Sequence, residues 1–452
     1  MNKGNIPEIE VGIMKAERVQ FLLKGRYTVL GLEKKWSEFA DASINNGAIE
    51  LIQDGNSLDV GNSVIFIPSD STSDRFLIAD VMIGIGFHWE QKEDQEFQGA
   101  LKLLASGEKI QVVNVISVED YLISVISSEM RGDSSAELLR AHTIISRSWL
   151  LAQIEKQEAL LVKDDSYEPI HSSDNEYIRW YDREDHGEFH VCADDHCQRY
   201  QGTTRATNLD VEKAVIDTAG KVLVYNGAIC DARYSKCCGG VVEEFKYCWE
   251  PVSHPYLKRV DDNPASSQIN TMDLKVESNA RQFIEGTPEA FCNTSDVELL
   301  GKVLNDYDQS SKDFFRWKVT YSQDEISALI REKSGFEFGD ILDLVPVERG
   351  ESGRLVKLKI IGTRKTLTIG KELEIRRWLS SSHLYSSAFI VERQRIIQGV
   401  PRRFILHGAG WGHGVGLCQI GAAVMASKGY TNEEILTHYF IGSAIEKRYE
   451  QN

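Results

Sequence analysis

The sequence contains no long apolar run. In a chain of 452 residues, no stretch approaches the about 18 consecutive apolar residues that a membrane-spanning helix requires. The N-terminal segment MNKGNIPEIEVGIMKAERVQ also lacks an apolar core between a basic head and a small-residue cleavage site, which a secretion signal would have. The sequence therefore predicts neither a membrane span nor a secretion signal.

The sequence contains fewer basic than acidic residues. The chain has 51 Lys+Arg against 68 Asp+Glu, a net charge of −17. Proteins that bind nucleic acid non-specifically neutralise its phosphates with Lys and Arg and so release counterions. This composition gives such binding no global driving force, and nucleic acid is not an expected partner.

Cysteine is scarce too, and there is no internal repeat or low-complexity tract. Eight cysteines in a chain of this size are sparse for a disulfide scaffold. We interpret them as thiols and metal ligands. They are Cys192, Cys197, Cys230, Cys237, Cys238, Cys248, Cys292 and Cys418.

What the chain does contain is typical of a folded protein. Hydrophobic residues make up 42% and charged residues 26%, close to globular averages, and the length exceeds what one hydrophobic core supports. The predicted fold class is α+β, multidomain. We expect a β-rich N-terminal region (1–105), a mixed α/β catalytic core in two parts (106–268 and 381–452), and a small inserted α+β domain (269–380).

Hydrophobic periodicity predicts the secondary structure around the first core segment. Apolar residues at helical spacing between Val118 and Ile126 predict a helix that ends near Gly132. Ser134–Glu137 has the pattern of a capping box and predicts the start of a second helix. Residues 164–205 are predicted to form a long loop. Short apolar runs predict strands at Glu10–Met14, Val19–Leu23, Ser63–Ile67 and Ile83–Phe87.

The same patterns continue toward the C-terminus. Helices are predicted near 279–286, 323–334, 417–428 and 431–440. Strands are predicted at 221–225, 342–347, 355–361 and 404–407.

A glycine-rich segment spans Gly408–Gly416, with glycine at every second position. Since it follows a predicted strand and precedes a predicted helix, its backbone N–H groups could approach a ligand. The spacing excludes a dinucleotide or phosphate loop. A tight backbone crossing that merely needs glycine is the alternative. His413 at its centre and Gln419 just beyond it favour a site.

The segment from His186 to Cys197 places three histidines and two cysteines within twelve residues. Zn²⁺ prefers thiolate and imidazole ligands in a tetrahedron, so the segment predicts a zinc site, with an unligated loop as the alternative. The expected ligands are Cys192, His196 and Cys197, with His186 as the better fourth and His190 as the fallback.

Other candidates are weaker on residues alone. The pair Cys237 and Cys238 indicates packing rather than redox chemistry. A cysteine-hydrolase site formed by Cys418 and His413 lacks a marked orienting residue, and Cys418 is expected to open a helix. Glu129 ends a predicted helix beside apolar Met130, a setting that favours the uncharged carboxyl a general acid needs, although most glutamates at helix ends are simply solvated.

Several segments together resemble one family, the stage II sporulation protein D (SpoIID)/amidase-enhancer family of bacterial cell-wall proteins. The resemblance covers roughly 97–260 and 400–445. The segments that carry it are Phe97–Leu103, Val112–Val115, Glu119–Met130, Arg140–Arg147, Val191–Gly202, Tyr234–Gly240 and Gly410–Ala422.

The resemblance implies a function. The family's sporulation members are lytic transglycosylases, which cleave the β-1,4 bond between N-acetylmuramic acid and N-acetylglucosamine in glycan strands stripped of stem peptides. Their catalytic glutamate corresponds to Glu129, and some members hold zinc in the Cys/His loop. Amidase-enhancer members instead raise the activity of a partner hydrolase. The expected partners are therefore peptidoglycan strands and a cell-wall amidase, and the expected location is the cell envelope, although no export signal is visible.

If the chain acts on such glycan, a set of glycan-binding residues can be predicted. Arg147 is expected to pair with the lactyl carboxylate of the stripped glycan, and Trp411 to supply the aromatic platform, because Ile420 stands where the family often has tryptophan. We expect His413 and Glu129 to line one cleft. The predicted glycan-binding residues are Arg140, Arg147, Tyr234, Ser235, Gly240, Trp411, His413 and Gln419.

The chain departs from the family's pattern in the second helix. Arg140 replaces a lysine, His142 a glutamine and Trp149 a tyrosine. Charge is kept at the first position, but hydrogen bonding differs at the other two.

Overall fold

The computed structural model forms two compact units. Unit 1 comprises residues 1–161, 185–222 and 446–452, and unit 2 comprises 162–184 and 223–445. Each contains helices and strands, which confirms the predicted α+β class. The structure describes residues 6–29, 35–53, 55–85, 90–131, 133–160, 169–181, 186–194, 196–204, 206, 208–263, 265, 272–303 and 313–450.

Unit 1 is built on strands that alternate buried and exposed side chains, which gives one face to the core. Its strands are β1 (Glu8–Ala16), β2 (Arg18–Val29), β3 (Lys35–Asn45), β4 (Ala48–Gln53), β5 (Asn56–Asp59), β6 (Ser63–Pro68), β7 (Arg75–Ile83), β8 (Gln91–Gln98), β9 (Ala100–Ser106), β10 (Lys109–Ser117) and β13 (Val191–Cys192). Its helices are α1 (Val118–Glu129), α2 (Ala136–Leu160) and α3 (Leu209–Asp217).

These strands form one eleven-stranded sheet in the order β13-β1-β10-β9-β6-β2-β3-β4-β5, with β7 paired to β2 and β8. β1 is antiparallel to β10, whereas the short β13 is parallel to β1. Ser117, the last residue of β10, caps α1 by accepting a hydrogen bond from the Asp120 N–H. The chain thus passes directly from the sheet into α1, which packs against α2 and α3.

Unit 2 has several small sheets and six helices among the residues the structure describes. Its strands are β11 (Ile170–Ser172), β12 (Glu176–Arg179), β15 (Ala228–Ile229), β16 (Tyr234–Ser235), β17 (Val241–Val242), β18 (Val260–Asp261), β19 (Arg316–Ser322), β20 (Ile341–Arg349), β21 (Leu355–Gly362), β22 (Thr366–Gly370), β23 (Phe389–Ile397), β24 (Val400–Ala409) and β25 (Leu417–Cys418). Its helices are α4 (Glu277–Glu285), α5 (Val297–Val303), α6 (Gln323–Ser334), α7 (Glu372–Trp378), α8 (Gln419–Ser427) and α9 (Asn432–Tyr439). The chain passes between the units within β14 (Lys221–Tyr225) and β26 (Ala444–Lys447).

The main core of unit 2 lies between a five-stranded sheet, β11-β12-β22-β21-β20, and a three-stranded sheet, β19-β24-β23. Trp378 and Trp317 are buried in it, together with apolar residues of α6 and α7. The β19-β24-β23 sheet ends at Ala409, where the glycine-rich segment begins. That segment therefore leaves a buried, well-packed strand.

Most predicted elements are confirmed, and two local predictions are wrong. The 221–225 strand and the C-terminal helices are present. The strand predicted at Ile83–Phe87 is not, because β7 ends at Ile83 and the next two residues form a bend and turn; residues 86–89 and Gly132 lie outside the described residues. Ser135, not Ser134, caps α2, since the Ser135 Oγ accepts from the Leu138 N–H.

In the part of the chain that the structure describes, no helix is long and apolar enough to cross a membrane. The 269–380 segment predicted as an insertion lies inside unit 2. The four-part division of the chain stays a prediction.

Candidate functional site

Two histidines and two cysteines of unit 1 converge to form a group with the geometry of a metal site. The ligand atoms of His186, Cys192, His196 and Cys197 all lie within 4.8 Å of one another. The Cys197 Sγ is 3.3 Å from the His186 Nε2 and 3.5 Å from the His196 Nδ1. Zn–S and Zn–N bonds of ~2.3 and ~2.0 Å in a tetrahedron require S···N edges of about 3.5 Å. The four side chains therefore fit a single zinc ion.

His190, the fallback ligand, is used differently. The His190 Nδ1 accepts a hydrogen bond of 3.0 Å from the Glu10 N–H, and the His190 backbone N–H donates to the Glu10 carbonyl. Beside it, β13 pairs with β1, so that Cys192 faces Gly12. A side chain at Gly12 would collide with the Phe189 ring, which in turn stacks on His186 at 4.7 Å. The edge of the sheet thus holds the Cys/His loop in place.

The electrostatics of this group favour thiolate. The hydrogen bond from Cys197, followed by those from His186 and His196, holds the pKa of the Cys192 thiol well below its ordinary value, although burial acts in the opposite direction. A thiolate is the form of cysteine that binds metal.

Glu129 is the last residue of α1, and its side chain is half-buried. Its Oε1 accepts a hydrogen bond of 3.4 Å from the Arg199 N–H. Arg199 comes two residues after Cys197, so the loop that carries the metal-binding group also contacts the candidate acid.

The residues around Arg199 are fixed against α1 and the sheet. Tyr200 stacks on Tyr121 of α1 at 5.0 Å, and its hydroxyl donates to the Asn114 Oδ1 in β10. The Gln201 N–H donates to the Ser124 Oγ. This packing holds the Arg199 N–H near the end of α1.

Arg147 occupies a different place from the predicted one. Its side chain is 0% exposed, and two of its nitrogens donate to the Glu119 carboxylate at 3.0 and 2.6 Å. A third donates to the Lys221 carbonyl, while the Tyr449 hydroxyl donates to the Glu119 Oε1 at 2.7 Å. The structure gives this guanidinium an internal partner in place of the expected glycan carboxylate. Arg140 is half-exposed and pairs with Glu137 and Asp217.

In unit 2, the glycine-rich segment wraps around a buried arginine. Arg354 is 1% exposed, and it donates to the carbonyls of Gly412 and Cys238 and to the Ser352 Oγ. Gly414 has φ +78°, and a Cβ there would overlap the Arg354 guanidinium. Gly416 has φ +73°, and a Cβ there would overlap the Arg233 carbonyl. Close backbone crossing thus accounts for these glycines without a ligand.

His413 of this segment is half-buried and contacts Trp249, with 4.6 Å between the ring centroids. Burial, and then the positive charges of Arg233 and two other arginines, hold the pKa of His413 well below its ordinary value. Its Nδ1 accepts from the Val415 N–H, so the neutral ring carries its proton on Nε2. Arg233 stacks on Trp249 at 4.4 Å and pairs with Asp231.

Trp411 is half-buried and belongs to an aromatic group that includes buried Phe314. Its ring lies 4.3 Å from that of Tyr385 and 4.8 Å from that of Phe314. The Trp411 and Cys237 backbones exchange two hydrogen bonds. These contacts hold the indole in one orientation, as a sugar-stacking platform requires.

The other predicted glycan-binding residues of unit 2 lie beside the same segment. Tyr234 and Ser235 form β16, which pairs with Leu417 and Cys418. Gln419 begins α8 and is 3% exposed, so its side chain points inward. Gly240 has φ +112°, and its N–H donates to the Cys238 Sγ. The structure brings these residues near Trp411 and His413, whereas Glu129 and the Cys/His loop belong to unit 1. The common cleft of Glu129 and His413 stays a prediction.

The sequence did not single out Arg354, Arg233, Trp249 or Glu243. Glu243 is 0% exposed and accepts hydrogen bonds from Ser352 and from the Glu244 and Glu351 N–H groups. Burial raises its pKa. Nothing in the local sequence around these residues marks them, because their partners are distant in the chain.

Comparisons with known proteins give two family matches. Residues 106–225 match the model described as Stage II sporulation protein, and residues 243–416 match a domain of unknown function (DUF8618). The first match contains α1, Glu129 and the Cys/His loop. The second lies within unit 2 and contains the glycine-rich segment.

Three relatives are similar to the chain at low identity. An uncharacterized protein of Brachyspira hyodysenteriae is 24% identical over 77% of this chain and 72% of its own length. Stage II sporulation protein D of Bacillus subtilis is 22% identical over 75% of this chain and 76% of its own length. An amidase enhancer of Bacillus subtilis is 23% identical over 53% of this chain and 33% of its own length. Together with the first family match, these relatives support membership of the chain in the stage II sporulation protein D/amidase-enhancer family.

Proposed function

We propose that this protein is a peptidoglycan lytic transglycosylase. It cleaves the β-1,4 bond between N-acetylmuramic acid and N-acetylglucosamine in strands stripped of stem peptides and leaves 1,6-anhydro ends. The observation that carries the proposal is the position of Glu129, half-buried at the end of α1, with one carboxylate oxygen oriented by the Arg199 N–H. The location that follows from this substrate is the cell envelope.

One carboxyl group is enough for this reaction. Ordinary glycosidases use two carboxylates, but here the C6 hydroxyl of the muramic acid attacks its own C1. Glu129 gives its proton to the leaving glycosidic oxygen and then, as a carboxylate, accepts the C6 hydroxyl proton. The C1–O bond to the leaving sugar breaks as the C1–O6 bond forms, so no water is consumed.

Zinc would be held by His186, Cys192, His196 and Cys197. With four protein ligands its coordination is closed, and it supplies structure rather than chemistry. The chain's own residues then do the positioning. Ligation would fix Cys197 in the Cys/His loop. Cys197 lies two residues before Arg199, whose N–H orients Glu129.

Glycan binding falls to residues with exposed polar or aromatic surface. Trp411 offers a ring face held by Tyr385 and Phe314. Neutral His413 packs beside Trp249, where its ring is held by hydrogen bonds to the Val415 and Tyr234 backbones. Arg140, which is half-exposed, remains available for a glycan carboxylate if it leaves its ion pairs with Glu137 and Asp217.

The test is product analysis. The purified chain is incubated with intact and with amidase-stripped peptidoglycan, and the soluble products are analysed by mass spectrometry. The expected result is anhydro-muramic ends from the stripped glycan. Glu129→Gln removes the proton donor at nearly constant shape, so its products should vanish, whereas Glu155→Gln, an exposed site on α2, should leave them unchanged.

The similarity to an amidase enhancer favours a second candidate, a glycan-binding protein that stimulates a cell-wall amidase without cleaving glycan itself. In that case wild type and Glu129→Gln would stimulate an added amidase equally, and neither would form anhydro ends. That outcome would overturn the transglycosylase proposal.

A further inference from the structure

A second group of metal-binding side chains lies in the interior of unit 2. The ligand atoms of Cys238, Asp262, Cys292 and Cys418 all lie within 4.8 Å of one another. All four residues are at most 3% exposed. They come from four separate segments of the chain, and Cys238 and Cys418 are 180 residues apart.

The distances within this group match one small ion. The Sγ atoms of Cys238 and Cys292 are 3.6 Å apart, and the Cys238 N–H lies 3.2 Å from the Cys418 Sγ. Two thiolates at ~2.3 Å from zinc in a tetrahedron are about 3.8 Å apart. A cluster of several irons would spread its thiolates farther around a larger body.

The carboxylate of Asp262 is fixed for this purpose. Its Oδ1 accepts from the Tyr439 hydroxyl at 2.7 Å, and its Oδ2 accepts from the Cys292 N–H at 2.6 Å. Each oxygen keeps a second lone pair. Hydrogen bonds that orient a ligating group in this way are typical of metal sites.

The charge balance of the interior is compatible with a bound cation. A buried carboxylate beside thiols is costly unless it is compensated. The Arg316 guanidinium donates to the Gly239 carbonyl next to Cys238. With a divalent ion bound, one carboxylate and three thiolates supply four negative charges, and the ion and Arg316 supply three positive charges, which leaves a net charge near −1.

A disulfide fits the group less well. Joining two sulfurs requires them to approach to ~2.05 Å and leaves the third thiol over. Simple packing of small apolar residues would explain three buried cysteines, but not the carboxylate of Asp262 directed among them.

We propose that Cys238, Asp262, Cys292 and Cys418 bind one thiophilic divalent cation, preferably Zn²⁺. Binding displaces the three thiol protons to solvent. The ion ties the turn after β16, the end of β18, the loop before α5 and the start of α8 to one point. The Cys238 Sγ also accepts a hydrogen bond from the Gly240 N–H, and Cys418 follows the glycine-rich segment closely in the chain. The ion therefore holds that segment in place.

The experiment measures metal content in the full chain. Wild type, Cys292→Ser and Cys230→Ser are purified in parallel, dialysed against metal-free buffer and analysed by inductively coupled plasma mass spectrometry. Cys230 is a matched control, because it is a buried thiol of the same unit outside the group. Cys292→Ser should hold one zinc equivalent fewer than wild type, and Cys230→Ser the same number. A His196→Ala variant should lose a different equivalent, so that its combination with Cys292→Ser loses two.

A second measurement does not depend on the folding of a variant. The ¹¹³Cd chemical shift rises with the number of thiolate ligands, so wild type loaded with ¹¹³Cd²⁺ should show a resonance for three thiolates, distinct from that of a site with two. Equal metal content in wild type and Cys292→Ser, a Cys238–Cys292 disulfide in non-reduced peptide maps, or absence of the three-thiolate resonance would overturn the proposal. Loss of the same equivalent in Cys237→Ser would overturn this set of ligands.

Discussion

The two units place their polar groups in opposite ways. In unit 1, the Cys/His group lies within twelve residues at the edge of a sheet and Glu129 lies at the end of a helix, and all of these residues keep some exposed surface. In unit 2, Arg354, Glu243 and the Cys/Asp group are enclosed and come from distant segments. Groups at the surface can meet a substrate, whereas enclosed groups can only shape what surrounds them. Under the proposed function, Glu129 of unit 1 carries the chemistry, and the enclosed groups of unit 2 stabilise the segments around them.

The largest expected effect tests whether unit 1 carries the chemistry. Glu129→Gln should lower the rate of glycan cleavage by about 10²–10⁴-fold, the usual contribution of a general acid–base group. Turnover is measured on stripped glycan with Glu155→Gln as the matched variant. If the cleavage rate of Glu129→Gln lies within a factor of two of wild type, Glu129 is not the catalytic acid.

The next effect tests whether Arg147 is structural. Arg147→Met leaves the buried Glu119 carboxylate without its cationic partner, although the Tyr449 hydroxyl and the Gly220 N–H still donate to it, and breaking such a pair costs about 3–5 kcal/mol. Arg140→Met on the same helix loses partly exposed ion pairs and should cost about 1 kcal/mol or less. Urea unfolding of both variants measures the difference. A stable Arg147→Met protein that binds glycan weakly would restore the substrate role.

A smaller effect tests whether the glycine-rich segment is shaped by Arg354. Gly414 and Gly399 both have positive φ, but only at Gly414 would a Cβ meet another group, the Arg354 guanidinium. Gly399→Ala should cost about 1–2 kcal/mol for the left-handed backbone. Gly414→Ala should cost about 1–3 kcal/mol more, because it also overpacks the interior. Equal melting temperatures for the two variants would contradict this explanation of the segment.

The smallest effect concerns pH and unit 2. Burial, and then the charges of Arg376, Arg377 and Lys333, lower the pKa of His383 to about 4. The unfolded chain binds a proton at His383 as pH falls below about 6.5, while the folded chain does not until about pH 4. Stability from this group is therefore present above pH 6.5 and is lost between pH 6.5 and 4. His383→Gln should flatten the melting temperature over that range, and an unchanged slope would contradict the assignment.

The sequence predicted those features whose parts lie close together. The predicted zinc ligands fall within twelve residues, so composition alone indicated them, and the structure brings the same four side chains together. The helices at 118–129 and 323–334 follow their apolar spacing and caps. The role of Glu129 came from family resemblance rather than from its surroundings, and it stays a prediction.

What the sequence could not predict depends on contacts between distant segments. The Cys/Asp group joins four segments across 180 residues. Alternating glycines indicated close approach, but not that the approaching group is Arg354. Arg147 was assigned to the substrate because a sequence does not show which side of a helix faces a buried carboxylate. The sequence shows that a side chain is charged, but the packing of the folded chain decides which group it pairs with.

The hydrogen bond from Tyr449 to Glu119 has a consequence for the order of synthesis. The two residues are 330 positions apart, and all of the 223–445 segment of unit 2 is translated between them. Arg147 emerges from the ribosome early and can pair with Glu119 at once, but the third partner arrives only after unit 2 is made. The buried Glu119 therefore lacks this donor until unit 2 has been translated, and a chain truncated within unit 2 would never gain the Tyr449 hydrogen bond.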